Sequence, residues 1–234
     1  MTRLAIMQPY FMPYIGYFQL INSVDEFIIY DNIQYTKKGW INRNRILVNG
    51  KDQLITLPIK KDSDYLDVVN RSLSESWHND KIKILNTIKS CYSKSPFFNE
   101  AYSLIEQCLN VPNTNLFEFI YQTILILNDF LDIKTKMIIS SNIDIDHNLK
   151  SQDKVLALCK ARNADMYINS IGGTELYDKT VFKQTGIELN FIKSNSIRYK
   201  QFNNEFVSWL SIIDVLMFNS KEQIQEYLNE YTLI

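Results

Sequence analysis

The stretch Leu4-Ala5-Ile6-Met7-Gln8-Pro9-Tyr10-Phe11-Met12-Pro13-Tyr14-Ile15-Gly16-Tyr17 sets a short apolar strand before a loop stiffened by prolines and crowded with aromatic rings. Pro9 and Pro13 fix φ and donate no backbone hydrogen bond, so the strand stops there and turns. Apolar periodicity resumes at Ile15, Phe18, Leu20 and Ile21, which predicts a helix entered near Tyr14. A second strand, Phe27-Ile28-Ile29-Tyr30, ends at Asp31. Strand, loop, helix, strand is the opening of an α/β domain, with the loop at the strand end where such folds bind ligands.

Beyond it, Arg45-Ile46-Leu47-Val48 and Gln53-Leu54-Ile55-Thr56-Leu57 flank Asn49-Gly50-Lys51, a hairpin pattern closed by Pro58. The middle third is helical in pattern. Stripes run through Leu85, Ile88 and Tyr92, then Ala101, Leu104 and Cys108, then Leu116, Ile120, Ile124 and Leu131 after a cap at Asn113 or Thr114. From residue 136 the α/β rhythm returns. Strands are predicted at Met137–Ile139, Met166–Ile168 and Ile187–Ile192, a helix over Ser151–Ala161, a short one after Asp178, and a closing amphipathic helix containing Trp209 to Leu216. The expected architecture is one α/β domain over 1–234. It has a mainly parallel sheet with flanking helices, a β-hairpin and a mostly helical insertion at about 78–132.

Composition narrows the partners. A net charge of -1 gives no global attraction to nucleic acid or an anionic membrane, and no apolar run is long enough to span a bilayer. Cys91, Cys108 and Cys159 are widely spaced within helical patterns, which argues against a disulfide framework and for a reducing, cytoplasmic setting. With only His78 and His147 beside them, the chain offers no pattern for a metal site. Neither histidine has a visible catalytic partner.

Four segments carry polar groups where a ligand would sit. In the first loop, Gln8 lies at a strand end, Tyr10, Tyr14 and Tyr17 supply rings, and Gly16 permits either close helix–strand packing or close backbone approach to a ligand. Between Asn32 and Lys51 there are basic side chains and no acid. Here Trp40, Asn42, Arg43 and Asn44 read as an anion clamp with a stacking surface. Gly172 and Gly173 follow a predicted strand and either expose backbone N–H groups to an anion or serve a turn. Tyr199, Gln201 and Asp214 close the set. Asp214 lies between Ile213 and Val215 and reads either as a salt-bridge partner, with Arg43 the candidate, or as a general base.

The pattern Gln8-Pro9-x-x-x-Pro13-x-x-Gly16-Tyr17-Phe18, with Trp40-x-Asn42-Arg43-Asn44, Tyr199-x-Gln201, Phe206, Leu210–Asp214 and Asn219, resembles the WbqC-like family of bacteria from end to end. Tyr14 stands where that family often has tryptophan. The resemblance implies a cytoplasmic product of clusters for O-antigen and related surface polysaccharides, with a role in attaching glycine or another amino acid to a sugar. On that expectation the protein is a transferase whose small-molecule substrate is a nucleotide or nucleotide-linked sugar, and its partners are other glycan-pathway enzymes. Asp214 and Arg43 are the catalytic candidates, and Gln8, Tyr10, Tyr14, Gly16, Tyr17, Trp40, Asn42, Asn44, Gly172, Gly173, Tyr199 and Gln201 the binding ones. Two alternatives stay open. Tyr14-Ile15-Gly16-Tyr17 occupies the position where strand–loop–helix nucleotidyltransferases carry His-x-Gly-His, which suggests adenylate-forming or nucleotidyl-transfer chemistry. The scarcity of catalytic-looking groups suggests a non-catalytic scaffold.

Overall fold

A computed structural model describes every residue, Met1–Ile234. The opening strand is β1 (Arg3–Met7), followed by α1 (Ile15–Asn22) and β2 (Glu26–Ile29). After the hairpin strands β3 (Arg43–Val48) and β4 (Lys51–Thr56) come three helices, α2 (Trp77–Tyr92), α3 (Phe98–Leu109) and α4 (Leu116–Phe130). The chain continues through β5 (Lys136–Ile139), α5 (Ser151–Ala161), β6 (Met166–Ser170), α6 (Lys179–Gln184) and β7 (Glu188–Ser194). It ends with α7 (Ile212–Phe218), α8 (Lys221–Tyr227) and β8 (Tyr231–Leu233).

The main sheet has the order β5-β2-β1-β6-β7-β8, and all its pairs are parallel except the β7–β8 edge. Its central strands are apolar throughout because both faces are covered. Leu4, Ile6, Ile28, Tyr167 and Leu189 pack with Val155 and Leu158 of α5 and Phe182 of α6. Ala5, Phe27, Ile29 and Ile168 point the other way, toward α1, the hairpin, α2–α4 and α7. That second core runs without a break from the sheet into the three middle helices. None of the helices is long and apolar enough to cross a membrane.

Several boundaries differ from the sequence reading. The hairpin turn is two residues, because Lys51 pairs with Val48 while Asn49 and Gly50 take φ of 50° and 76°. Two left-handed residues make the turn whose twist matches the flanking strands. The cap of α4 is Asn115, whose side chain accepts from the Glu118 N–H at 3.1 Å; Asn113 instead accepts from the Asn115 N–H at 2.9 Å. The last amphipathic helix starts at Ile212, capped by Ser211, and leaves Trp209 outside it at φ 61° and 61% exposed. The short α8 and the three-residue β8 are additional to the sequence reading.

The strand order reverses between β1 and β6. Connections leave these two strands in opposite directions, so their carboxyl ends frame a crevice, the switch point at which open α/β sheets hold ligands.

Candidate functional site

The loop after β1 is held from several sides. The Phe11 N–H donates to the Ile41 carbonyl at 3.0 Å, and the Ile212 N–H to the Pro13 carbonyl at 2.8 Å. Met12 is buried with φ 42°, a strained conformation for a residue with a side chain. Its carbonyl accepts from Asn44 Nδ2 at 2.8 Å and from Ser211 Oγ at 2.6 Å. The Tyr17 hydroxyl donates to the Gln8 carbonyl at 2.8 Å, and burial raises the pKa of that phenol well above its ordinary value. Gly16 leaves room for a ring: a Cβ there would lie 2.3 Å from Cε2 of Tyr14.

This fixed loop is the shared wall of three depressions. The largest is a cleft of about 1000 Å³ at the carboxyl ends of β1 and β6. Gln8 and Tyr10 line one side, Asn169, Ser170, Gly172 and Gly173 the floor, and His147, Lys150 and Lys154 the opposite wall. The Gln8 side-chain oxygen accepts from the Tyr10 hydroxyl at 3.5 Å, and its NH2 has no protein partner. Gly173 is needed for packing, since a Cβ there would sit 2.3 Å from Asn169 Nδ2.

The basic wall belongs to α5 and the segment before it. In a parallel α/β sheet the helices run against the strands, so the first turn of α5 opens at the cleft. Lys150 caps it with no side-chain bond, and Ser151 takes φ 46°. Uncapped N–H groups at a helix start favour negative charge. Lys154 Nζ lies 3.3 Å from Asn32 Oδ1 and 5.3 Å from the Tyr30 ring centre. Desolvation lowers the Lys154 pKa from its ordinary value, against the raising pull of Asp67 and Asp31. Asn32 Oδ1 also accepts from Ser140 Oγ, which turns its amide nitrogen toward His147 Nδ1 at 2.9 Å. His147 Nε2 meets the Ile143 carbonyl at 3.0 Å and must donate there. With Nε2 donating, Nδ1 is the ring nitrogen that faces the Asn32 amide.

A hollow of about 260 Å³ adjoins the cleft, lined by Tyr10, Pro13, Tyr14, Trp40, Asn44, Arg45 and Trp209. Beyond Tyr14 and Trp209 lies a third pocket of about 490 Å³, walled also by Gly16, Tyr199 and Phe206. The structure thus puts Gln8, Tyr10, Gly172 and Gly173 at one cleft. Tyr14, Gly16, Trp40 and Tyr199 lie along its extension.

The remaining candidates face the protein itself. Asn42 is buried between the Tyr35 hydroxyl and the Leu57 carbonyl, both at 2.8 Å. Arg43 Nε donates to the Gly39 carbonyl at 2.9 Å and Nη2 to the Lys38 carbonyl, so it braces its own loop and makes no pair with Asp214. Asp214 is fully buried. It accepts from Tyr92 at 2.9 Å, Tyr199 at 2.7 Å and Gln201 at 2.6 Å, and the Tyr92 hydroxyl in turn accepts from the Leu47 N–H at 2.7 Å. Burial raises the Asp214 pKa; the three donors oppose that rise. The Tyr199-x-Gln201 pattern and Asp214 therefore form a junction between α2, α7, the hairpin and the Asn195–Leu210 connection.

Motif reading sets His147 aside for want of a catalytic partner and passes over Lys154. Their signal was positional: the helix predicted at Ser151 had to begin on the ligand side of the sheet, which puts His147 just ahead of that edge.

Sheet order and cleft together define an α/β protein with a polar crevice at its switch point. The sequence matches the WbqC-like protein family over residues 8–226, and the chain belongs to that family. It is 30% identical over 230 residues to "Uncharacterized protein Rv1507c" of Mycobacterium tuberculosis (strain ATCC 25618 / H37Rv), a match covering 97% of this chain and 98% of that protein.

Proposed function

We propose that the protein is a transferase of surface-glycan biosynthesis that places glycine or another aminoacyl group on the amine of a nucleotide-linked amino sugar. The pathway rests on what the WbqC-like resemblance implies. The chemistry rests on one observation: a polar cleft at the switch point that combines an unpaired Gln8 amide, the Ser170 hydroxyl and a basic wall containing a lysine of lowered pKa. Amide and hydroxyl groups suit a sugar, and Lys150 with the start of α5 suits its phosphates.

In this reading the sugar amine attacks the acyl carbon of an activated aminoacyl donor. A C–N bond forms, the bond to the donor's leaving group breaks with its electron pair, and the free-base form of Lys154, which desolvation favours, takes the amine proton. A general base must reach that proton directly or through one water, and a lysine with a lowered pKa holds more of its free-base form near neutrality. Asp214 and Arg43 act as scaffold.

The test is incubation with nucleotide-linked amino sugars and activated amino acids, read by mass spectrometry as gain of one aminoacyl residue, beside a thermal-shift panel. A ligand at about one hundred times its dissociation constant stabilises the fold by about 2.7 kcal/mol. Product that disappears in Gln8→Ala and Lys154→Met supports the reading. Amino-acid-dependent exchange of pyrophosphate into ATP would move it to adenylate-forming chemistry. No shift from any compound would favour a scaffold.

A further inference from the structure

We infer that the 490 Å³ pocket at the carboxyl end of β7 is the base subsite of a nucleotide, which lies extended from there past Tyr14 and Tyr10 into the polar cleft. This rests on the cleft being a sugar site and adds what recognises the other end of the ligand.

The pocket combines three features. Its open side carries rings: Tyr14 meets Trp209 edge-on at 5.7 Å, with Phe206 nearby. Trp209 is held outside α7 in a left-handed backbone conformation, with the indole largely exposed, and Arg45 Nη2 donates to its carbonyl at 3.4 Å. Tyr199 is unavailable for stacking because its ring already lies against Phe218 and Tyr227.

Its charge is of one sign. Lys193 and Arg198 are the charged residues of the lining; no acid is among them, and neither forms a salt bridge. An anionic ligand is complementary to that rim.

The third feature separates a base from an acyl chain. Asn195–Leu210 is an irregular connection, longer than the roughly 12–15 residues beyond which such loops are usually functional. From Ser196 to Lys200 it makes no backbone–backbone hydrogen bond. Backbone N–H and C=O groups without a backbone partner, beside aromatic rings, match a flat heterocycle, which has donors and acceptors on its rim and a π-face above. A hydrocarbon chain would answer only the apolar wall. The volume falls in the range of small-molecule sites. Tyr14 and Trp209 also line the 260 Å³ hollow, and Tyr10 lines both that hollow and the cleft, so the three depressions lie side by side along shared walls.

Trp209 supplies the readout. Wild-type protein is titrated with the common nucleoside 5′-monophosphates, ribose 5-phosphate and inorganic phosphate, following tryptophan fluorescence. Glucosamine 1-phosphate, followed by thermal shift, reports on the cleft. At least one nucleotide should quench saturably and ribose 5-phosphate should not. Most of the quench should be lost in Trp209→Phe, Trp40 of the adjoining hollow accounting for any remainder, and nucleotide affinity should fall at least ten-fold in Arg198→Ala, an exposed site where folding is not at stake. No quench by any nucleotide, equal binding of ribose 5-phosphate, or undiminished affinity in Arg198→Ala would overturn the inference. A thermal shift by glucosamine 1-phosphate that depends on Lys154, without any nucleotide effect, would remove the base subsite and leave the sugar cleft standing.

Discussion

Asn44 donates its side-chain amide to the Met12 carbonyl at 2.8 Å and to the Phe11 carbonyl at 3.1 Å, which ties β3 to the bend of the loop after β1. Ser211 holds the same Met12 carbonyl from the opposite side. The Trp40-x-Asn42-Arg43-Asn44 segment and the start of α7 thus meet on a left-handed residue that shapes the pocket wall. Asn44→Ala should lower stability by about 1–3 kcal/mol, the cost of leaving buried polar groups short of a partner. Because Asn44 and Ser211 share one acceptor, a double-mutant cycle with Ser211→Ala should give a coupling of about 0.5–3 kcal/mol in urea unfolding. Simple additivity would show that the loop is fixed elsewhere.

Asp214 makes a sharper prediction. In Asp214→Ala the Tyr92 and Tyr199 hydroxyls lose their acceptor inside the core, and the Gln201 amide keeps only the Val207 carbonyl. At about 1–3 kcal/mol for each orphaned hydroxyl, a loss of about 2–6 kcal/mol is expected. Asp214→Asn keeps one acceptor oxygen and should cost less. The pH dependence separates the two roles of the carboxylate. Its folded pKa is raised above 3.8, so its contribution is fully present below that value and is lost as pH rises through the folded value. Wild type should therefore lose ground against Asp214→Asn as pH rises from 3.8 through the raised folded value, measured as the difference in urea midpoints. A constant difference would mean the carboxylate is not desolvated.

Gly16 tests the wall without touching the core junction. A Cβ would strike the Tyr14 ring at 2.3 to 2.6 Å, and a ring can swing aside more readily than backbone can. Gly16→Ala should therefore change the melting temperature little and impair ligand binding by displacing Tyr14 from Trp209. A large stability loss with unchanged binding would assign Gly16 to packing alone.

How much of this was legible follows from what each residue touches. Central strands such as Leu4–Met7 and Phe27–Ile29 are apolar on both faces, so they stand out as runs. β8 has three residues, two of them exposed, and leaves no periodic trace. Trp209 looked helical because it is apolar and near the right spacing, but a left-handed φ turns it out of the stripe. For the site, Gln8 and Gly172 could be placed because each follows a strand, and strand ends converge at a switch point. Asn42, Asn44 and Asp214 were harder. A polar side chain that satisfies buried backbone and one that satisfies a ligand are written with the same residues, and only the partner distinguishes them. Lys154 was hidden in the charged stripe of an ordinary helix, since its value depends on burial beside Tyr30 and Asn32.

Lys154 yields the last prediction. Desolvation lowers its pKa below 10.5, so the unfolded chain binds more protons than the folded one between the two values. Stability should rise with pH across that window through this group, and Lys154→Met should flatten the rise. If its free amine accepts the substrate's proton, kcat/KM should climb with pH through the same lowered value. Lys154→Arg preserves charge but cannot supply a free base, because a guanidinium stays protonated. That variant should keep phosphate binding and lose the climb together with the activity. Full activity in Lys154→Arg would remove the proton-transfer role and leave the residue as an anion contact.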